Sequence, residues 1–525
     1  LKKELNLGII RMSQLNAYYI TTPIYYVNDV PHIGHAYTTI ICDMVARFMR
    51  LDGKYVFFAT GTDEHGQKNA KTAEAQGRAP QQHVDLMSQN FRNLMEVSHI
   101  SNDDFIRTTE PRHIAAAQAL WTALEKNGQI YMDKYAGWYS MRDEAYYAET
   151  EVKDGIAVPT GSPVEWVEEP SYFFKLSEWQ DKLLDFYKRN PNFVAPKTRF
   201  NEVIRFVESG LKDLSISRTT FNWGVPVPNN KDHVMYVWLD ALTNYMTCVG
   251  YPDIDSADFK RFWPANVHVV GKDILRFHAV YWPAFLMAAG IEPPRQVYAH
   301  GWWTVDGQKM SKSLKNAVDP LALYETYGLD QVRYFMAREV PFGSDGDFSS
   351  KALILRSNSD LANDYGNLVH RVLSFIFKNC GGTLPVMRED DLSNDDKQML
   401  RIAKEALSKV RTLMNEMSIS KAVEEVWNVI AHANKYIDAQ KPWGLKESNP
   451  DRMKQIMAIL TDVIRRLAIL TQPIIPDASA KILDMICLPE DDRTFAHFDK
   501  VLGPNIKIPE PVGVFKKWEE PNEVS

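Results

Sequence analysis

A β-prone run from Tyr18 to Val27 and a helical run from Ala36 to Leu51 enclose Pro31-His32-Ile33-Gly34-His35. In the helical run Tyr37, Ile41, Met44, Val45 and Phe48 recur at helical spacing, and Gly53 supplies a stop. A second apolar run, Tyr55-Val56-Phe57-Phe58-Ala59, then leads into Gly61-Thr62-Asp63-Glu64-His65-Gly66. Strand, helix and strand in so short a length make a βαβ unit, which implies a parallel sheet with its ligand crevice at the carboxyl ends of the strands. The helix N-terminus between the histidines and Leu51 carries partial positive charge and unpaired N–H groups, so an anion can sit there. Gly34 lets a ring or a phosphate approach the backbone, and His32 and His35 would face that anion. Asp63 falls at a strand end, where a carboxylate can bind an α-amino group or cap the next helix.

Composition narrows the class further. The 525 residues suggest roughly two to four domains, and 45% hydrophobic with 24% charged residues is the balance of a soluble globular protein. The richest apolar run, Tyr281 to Ala289, is short and contains Pro283, so no membrane span is expected and the location is read as cytoplasmic. Sixty Lys and Arg against 67 Asp and Glu give a net charge of -7. Without a global basic field, any RNA contact must use local patches. Cys42, Cys248, Cys380 and Cys487 form no C-x-x-C pair and are expected as buried thiols of a reducing compartment. Leu1 to Arg11 lacks the apolar core of a secretory signal, and Met12 is the expected natural start.

From Lys134 to about Lys231 the regular alternation fails and aromatic and acidic residues dominate, so an insert is expected, with the α/β pattern resuming at Val234 to Leu239 and at Val267 to Asp273. Lys309-Met310-Ser311-Lys312-Ser313 follows a turn signal at Asp306-Gly307 and offers two lysines on a polar loop. Beyond Ser349 the chain turns helical. Ser393 reads as an N-cap, and amphipathic runs from Lys397 to Met414, Ser420 to Ala439 and Met453 to Leu470 predict an antiparallel bundle. Asn367 and Arg371 share a helix face, as base-edge readers or as a solvated pair; Trp443 either stacks on an unpaired base or caps the bundle.

In this order and this far apart, His32-Ile33-Gly34-His35 and Lys309-Met310-Ser311-Lys312-Ser313 resemble the paired signatures of class I aminoacyl-tRNA synthetases. Thr21 to Asn28, Gly61 to Gly66, Val237 to Ala241 and Gly271 to Ile274 narrow the resemblance to the methionyl-tRNA synthetase family, from about Tyr18 to about Ile508. It implies an α/β fold: a split Rossmann-type parallel-sheet catalytic domain with an inserted connective domain, followed by an all-α anticodon-binding bundle. The expected segments are an extension (1–17), the first catalytic half (18–133), the insert (134–233), the second half (234–300), a lysine-loop and stem-contact connector (301–362), the anticodon domain (363–508) and a tail (509–525). The tail leaves no room for an appended dimerisation domain, so a monomer is expected.

The resemblance also implies ATP-dependent ligation of L-methionine to initiator and elongator methionine tRNAs through methionyl-adenylate, with Mg2+ accompanying ATP. Carried over residue by residue, Ile24, Tyr26, Trp238, Ala241, Leu242, Tyr245, Ile274 and His278 would line the methionine pocket, and Asp63 would hold the ammonium. Sulfur against aromatic rings is a favourable, adaptable contact. Asp273 would take the ATP ribose and Gly271 would admit the nucleotide. His32 and His35 would bind phosphates beside an adenine over Gly34, and Lys309 and Lys312 would close over the β- and γ-phosphates. Asn367, Arg371 and Trp443 would read the anticodon. Two departures stand out. Ser140 and Asp143 occupy the positions of a zinc-knuckle cysteine pair and Val158 to Gly161 has no cysteine, so no structural zinc and no metal ligand are predicted; and Lys315 replaces the usual glycine after the lysine loop. The rival readings are a class I enzyme for leucine, valine or cysteine, and a non-catalytic tRNA-binding relative.

Overall fold

The computed structural model describes residues 16–28, 30–143, 145–305, 307–309 and 317–519; at 135, 145 and 309 it describes the backbone alone. The chain divides into two compact units, one drawn from Leu1–Cys42 and Tyr55–His300, the other from Asp43–Lys54 and Gly301–Ser525.

The first unit is built on a seven-stranded parallel sheet of β1 (Ala17–Thr21), β2 (Tyr25–Tyr26), β3 (Tyr55–Asp63), β4 (Asp104–Arg107), β5 (Val194–Ala195), β6 (Val267–Gly271) and β7 (Val297–His300). The order is β5-β7-β6-β1-β3-β4, with β2 continuing β1 along the same edge of β3. Strands buried on both faces read as near-continuous apolar runs, as in β6 and the wholly buried β7. The run from Tyr18 to Val27 is not one strand. It breaks after Thr21, where Pro23 has no N–H for the ladder, and resumes at Tyr25. Helix α1 (Ile33–Leu51) starts three residues earlier than the apolar spacing suggests, which places Gly34 and His35 in its first turn. It stops where foreseen, with Gly53 at φ +79°.

Two expectations for the insert need correction. The strand Asn230–Met235 does not resume the parallel sheet; it pairs antiparallel with Ser217–Arg218 and Pro226–Val227. Conversely, Val194-Ala195, inside the stretch 134–233, is an edge strand of the parallel sheet beside β7. A two-residue strand is too short to show a period. The rest of that stretch carries an antiparallel hairpin, Ile130–Ser140 with Glu165–Phe174, flanked by Ala145–Tyr147 and Leu214–Ser215. Helices α2 (Pro111–Lys126) and α3 (Val237–Thr247) pack in the core around Trp121, Leu239 and Tyr245.

The second unit is mainly helical: α4 (Leu329–Arg338), α5 (Asn367–Asn379), α6 (Asn394–Asn415), α7 (Ile419–Gln440), α8 (Pro450–Thr471) and α9 (Pro476–Met485). Ser393 caps α6, its hydroxyl accepting from the Asp396 amide at 3.3 Å while its own amide donates to the Asp396 carboxylate. Helix α8 is buried on nearly every side from Gln455 to Thr471, so it is the bundle's axis. The cysteines are not uniformly buried: Cys42 is, Cys248 and Cys380 are half-buried and Cys487 is exposed. Among the described residues no helix is long and apolar enough to cross a membrane.

Candidate active site

At the start of α1 the two histidines fold onto one another, ring centroids 3.9 Å apart. The Gly34 amide donates to His32 Nδ1 at 3.0 Å, and the His32 amide donates to His35 Nδ1 at 3.1 Å. With both Nδ1 atoms accepting, the hydrogen of each neutral ring sits on Nε2. Each histidine is thus a donor without carrying charge. Burial against Tyr25 and Phe91, and then the neighbouring His32, push the His35 pKa well below its ordinary value, so it stays neutral. A Cβ on Gly34 would lie 2.9 Å from the His32 ring, so the glycine is what lets that imidazole fold back. Thr38 Oγ1 donates to the Gly34 carbonyl at 3.1 Å and lies 2.8 Å from His300 Nε2, tying the first turn to the end of β7.

Asp63 ends β3, opposite Tyr26 of β2, and is buried. The next helix, Gln67–Ala75, has Gly66 at its N-cap and no side-chain cap, so Asp63 does not serve as one. Ile24 lies between β1 and β2, and Lys68 Nζ stands 5.6 Å over the Tyr26 ring. Helix α3 carries Trp238, Ala241, Leu242 and Tyr245, the last three buried. Trp238 stacks on Phe277 at 3.8 Å and meets His278 edge-on at 6.1 Å. His278 Nδ1 donates to the Ile274 carbonyl at 2.9 Å, so its Nε2 accepts from the Tyr245 hydroxyl at 2.7 Å. Burial holds the His278 pKa down to about 4, against smaller opposing effects of that carbonyl and Asp273. The imidazole is neutral and buried, and it does not line the cavity beside Trp238.

Trp238, Asp273, Ile274 and Phe277 line a cavity of about 480 Å³. Asp273 follows β6 in a single turn, Lys272–Ile274, and a Cβ on Gly271 would come within 2.6 Å of its carboxylate. Arg218, which sequence reasoning did not single out, lines the same cavity. Its guanidinium is held by Ser215 Oγ and the Ser217 carbonyl, at 2.8 and 2.6 Å, and lies over the rings of Tyr146 and Tyr236. Nε and Nη2 have no hydrogen-bond partner among the described residues, although Arg218 is only 2% exposed. The buried Glu169 carboxylate lies 3.9 Å from Nε, and the two N–H groups without a hydrogen bond fit an anionic oxygen. Aromatic wall, carboxylate and guanidinium therefore face one space.

The family described as tRNA synthetases class I (M) matches residues 18–158 and 149–373, and the anticodon binding domain of methionyl tRNA ligase matches residues 386–522. The methionine–tRNA ligase of Mesorhizobium japonicum is 55% identical over 96% of this chain and 98% of its own, and that of Rickettsia conorii 53% identical over 96% and 100%. The chain belongs to the class I methionyl-tRNA synthetase family. A solved Mycobacterium tuberculosis methionyl-tRNA synthetase in complex with methionyl-adenylate superposes with a TM-score of 0.93 at 49% identity, covering 95% of this chain and 99% of that one.

As a member of the methionyl-tRNA synthetase family, the chain has its second set of candidate residues in the helical unit. Asn367 opens α5 and Arg371 lies one turn on; Arg371 pairs with Asp438 at 2.8 Å, its guanidinium 5.6 Å from the ring of Trp443, which is 46% exposed. Of the lysine loop, only the Lys309 backbone is described, in the short strand Gln308–Lys309; its side chain, and Lys312 and Lys315 entirely, lie outside the described residues. At the knuckle positions Asp143 accepts from Tyr147 and Thr160 at 2.7 and 2.6 Å, and the Asp143 amide donates to Ser140 Oγ at 3.3 Å. These donors are hydroxyls and one carboxylate, without the thiolate or imidazole that structural zinc takes.

Proposed function

We propose that the chain ligates L-methionine to methionine tRNAs, initiator and elongator, through a methionyl-adenylate. In the first step a methionine carboxylate oxygen attacks the α-phosphorus of Mg-ATP and pyrophosphate leaves. In the second, the 2′-hydroxyl of the terminal adenosine of tRNA attacks the adenylate carbonyl and AMP leaves. No protein nucleophile is required, since such transfers are governed by positioning and charge stabilisation.

Asp63 takes the methionine ammonium, and Ile24, Tyr26, Trp238, Ala241, Leu242, Tyr245, Ile274 and His278 enclose its side chain. Arg218 offers its two spare donors to a reacting anionic oxygen. Asp273 accepts from the ribose beside Gly271, and the Nε2–H groups of His32 and His35 donate to phosphate oxygens with Gly34 beneath the adenine. Lys309 and Lys312, supported by the sequence motif alone, neutralise the leaving pyrophosphate. Asn367, Arg371 and Trp443 read the anticodon, with the Trp443 ring as a stacking surface. The protein acts as a cytoplasmic monomer with ATP and Mg2+ and no structural zinc.

One observation carries this reading: the cavity in which Trp238, Arg218 and Asp273 face the same space, an apolar aromatic wall beside an anion donor and a ribose acceptor. It is tested by charging purified methionine tRNA with labelled methionine in Mg2+ and ATP. Acid-precipitable methionyl-tRNA is expected; charging with leucine or valine instead, or none, would overturn it.

A further inference from the structure

Asp240 has no part in the chemistry above, yet it is fully buried at the first turn of α3, between Trp238, which lines the cavity, and Ala241, Leu242 and Tyr245, assigned above to the methionine pocket. Each of its oxygens meets a different imidazole. Oδ2 lies 2.7 Å from His65 Nδ1, two residues beyond Asp63, and Oδ1 lies 2.7 Å from His113 Nε2, in the first turn of α2. His65 is fixed in turn: its ring meets Trp223 edge-on at 5.4 Å, and Trp223 Nε1 donates to the Glu64 carbonyl at 2.8 Å. Glu64 takes both forks of Arg107, at 2.6 and 3.0 Å. The segment bearing the ammonium carboxylate is thus rigid, and its link to the helix bearing the thioether wall runs through Asp240.

We propose that Asp240 is a positioning residue that sets the span between Asp63 and the pocket face of α3, and thereby the length of amino acid the site accepts. The inference rests on the methionine reading. Methionine must bridge both ends of that span, whereas ATP need not touch it. Loosening the link should weaken methionine binding selectively and favour shorter or differently shaped side chains.

The test is amino-acid-dependent pyrophosphate exchange, with KM for methionine and for ATP measured separately, on wild type, Asp240→Asn, His65→Ala and His65→Asn. Asp240→Asn is expected to raise the methionine KM about ten- to hundredfold, the size of one charge-assisted hydrogen bond, to leave the ATP KM unchanged, and to narrow the preference over homocysteine. His65→Ala should do the same, and His65→Asn, whose amide stands where Nδ1–H stood, should restore most of the loss. A merely structural role would lower kcat and melting temperature with both KM values unmoved. That result, or His65→Asn no better than His65→Ala, would overturn the proposal, and the His65 pair decides it even where Asp240→Asn does not fold. Failure of the wild type to exchange with methionine would instead overturn the substrate reading.

Discussion

The sheet unit and the helical unit both bury paired charge, Glu64 with Arg107 in the one and Asp396 with Arg452 in the other, but the sheet unit also turns a buried guanidinium toward a cavity. In the helical unit buried charges pair within and between helices: Asp396 of α6 takes the fork of Arg452 of α8 and the hydroxyl of Tyr436 of α7, and within α8 Asp462 takes both Arg465 and Arg466. The side chains assigned to reading RNA, Arg371 and Trp443, lie instead at its surface. In the sheet unit His268 and His278 are held neutral by burial, and Arg218, 3.9 Å from the Glu169 carboxylate, keeps two N–H donors without a hydrogen bond among the described residues. Satisfied pairs fix register; unspent donors in a cavity await a substrate.

The largest effect that would sharpen this contrast is expected on the sheet side. Asp63→Asn and Arg218→Gln should each lower kcat/KM for methionine-dependent pyrophosphate exchange by about a thousandfold, as for losing one partner of a buried charge pair, while tRNA binding in a filter assay is kept. Equal loss of tRNA binding would break the contrast. On the helical side, Trp443→Ala should cost about ten- to hundredfold in kcat/KM for tRNA, the worth of a stacked base, and leave exchange intact. Acid should act with opposite sign on two buried groups. His278, normally 6.5 and held at about 4 by burial, stays neutral in the fold while the unfolded chain takes up a proton, so stability is lost as pH falls from 6.5 to 4. Asp330, raised from 3.8 to about 6 by burial, is protonated first in the fold, so its contribution grows as pH falls from 6 toward 3.8. Urea unfolding across that range should show the acid loss flattened in His278→Gln, and Asp330→Asn more stabilising at pH 7 than at pH 4. The smallest effect is none: stripping metals with a chelator and restoring Mg2+ alone should leave exchange and melting unchanged, and loss of either would show that the protein needs a further metal.

What could be read from the chain followed local physics. The histidine pair at a helix start, the carboxylate ending β3, the Ser393 cap and the amphipathic α6 and α7 all rest on residues close in sequence, whereas α8, expected to be amphipathic, is buried all round from Gln455 to Thr471 because other elements pack over its whole surface. What could not be read rests on residues brought together from afar. Arg218 acquires its setting from Tyr146 and Tyr236, and Asp240 meets partners 175 and 127 positions away. The two-residue β5 has no pattern to detect, and the exposure of Cys487 depends on packing that composition does not encode.

The most direct test of the central claim, an amino-acid-activating site in the sheet unit shaped for methionine, is pyrophosphate exchange into ATP with all twenty amino acids in parallel, in Mg2+ without zinc. Exchange with methionine alone, abolished by Asp63→Asn, is the predicted result. Exchange with another amino acid, or methionine exchange untouched by Asp63→Asn, would contradict it.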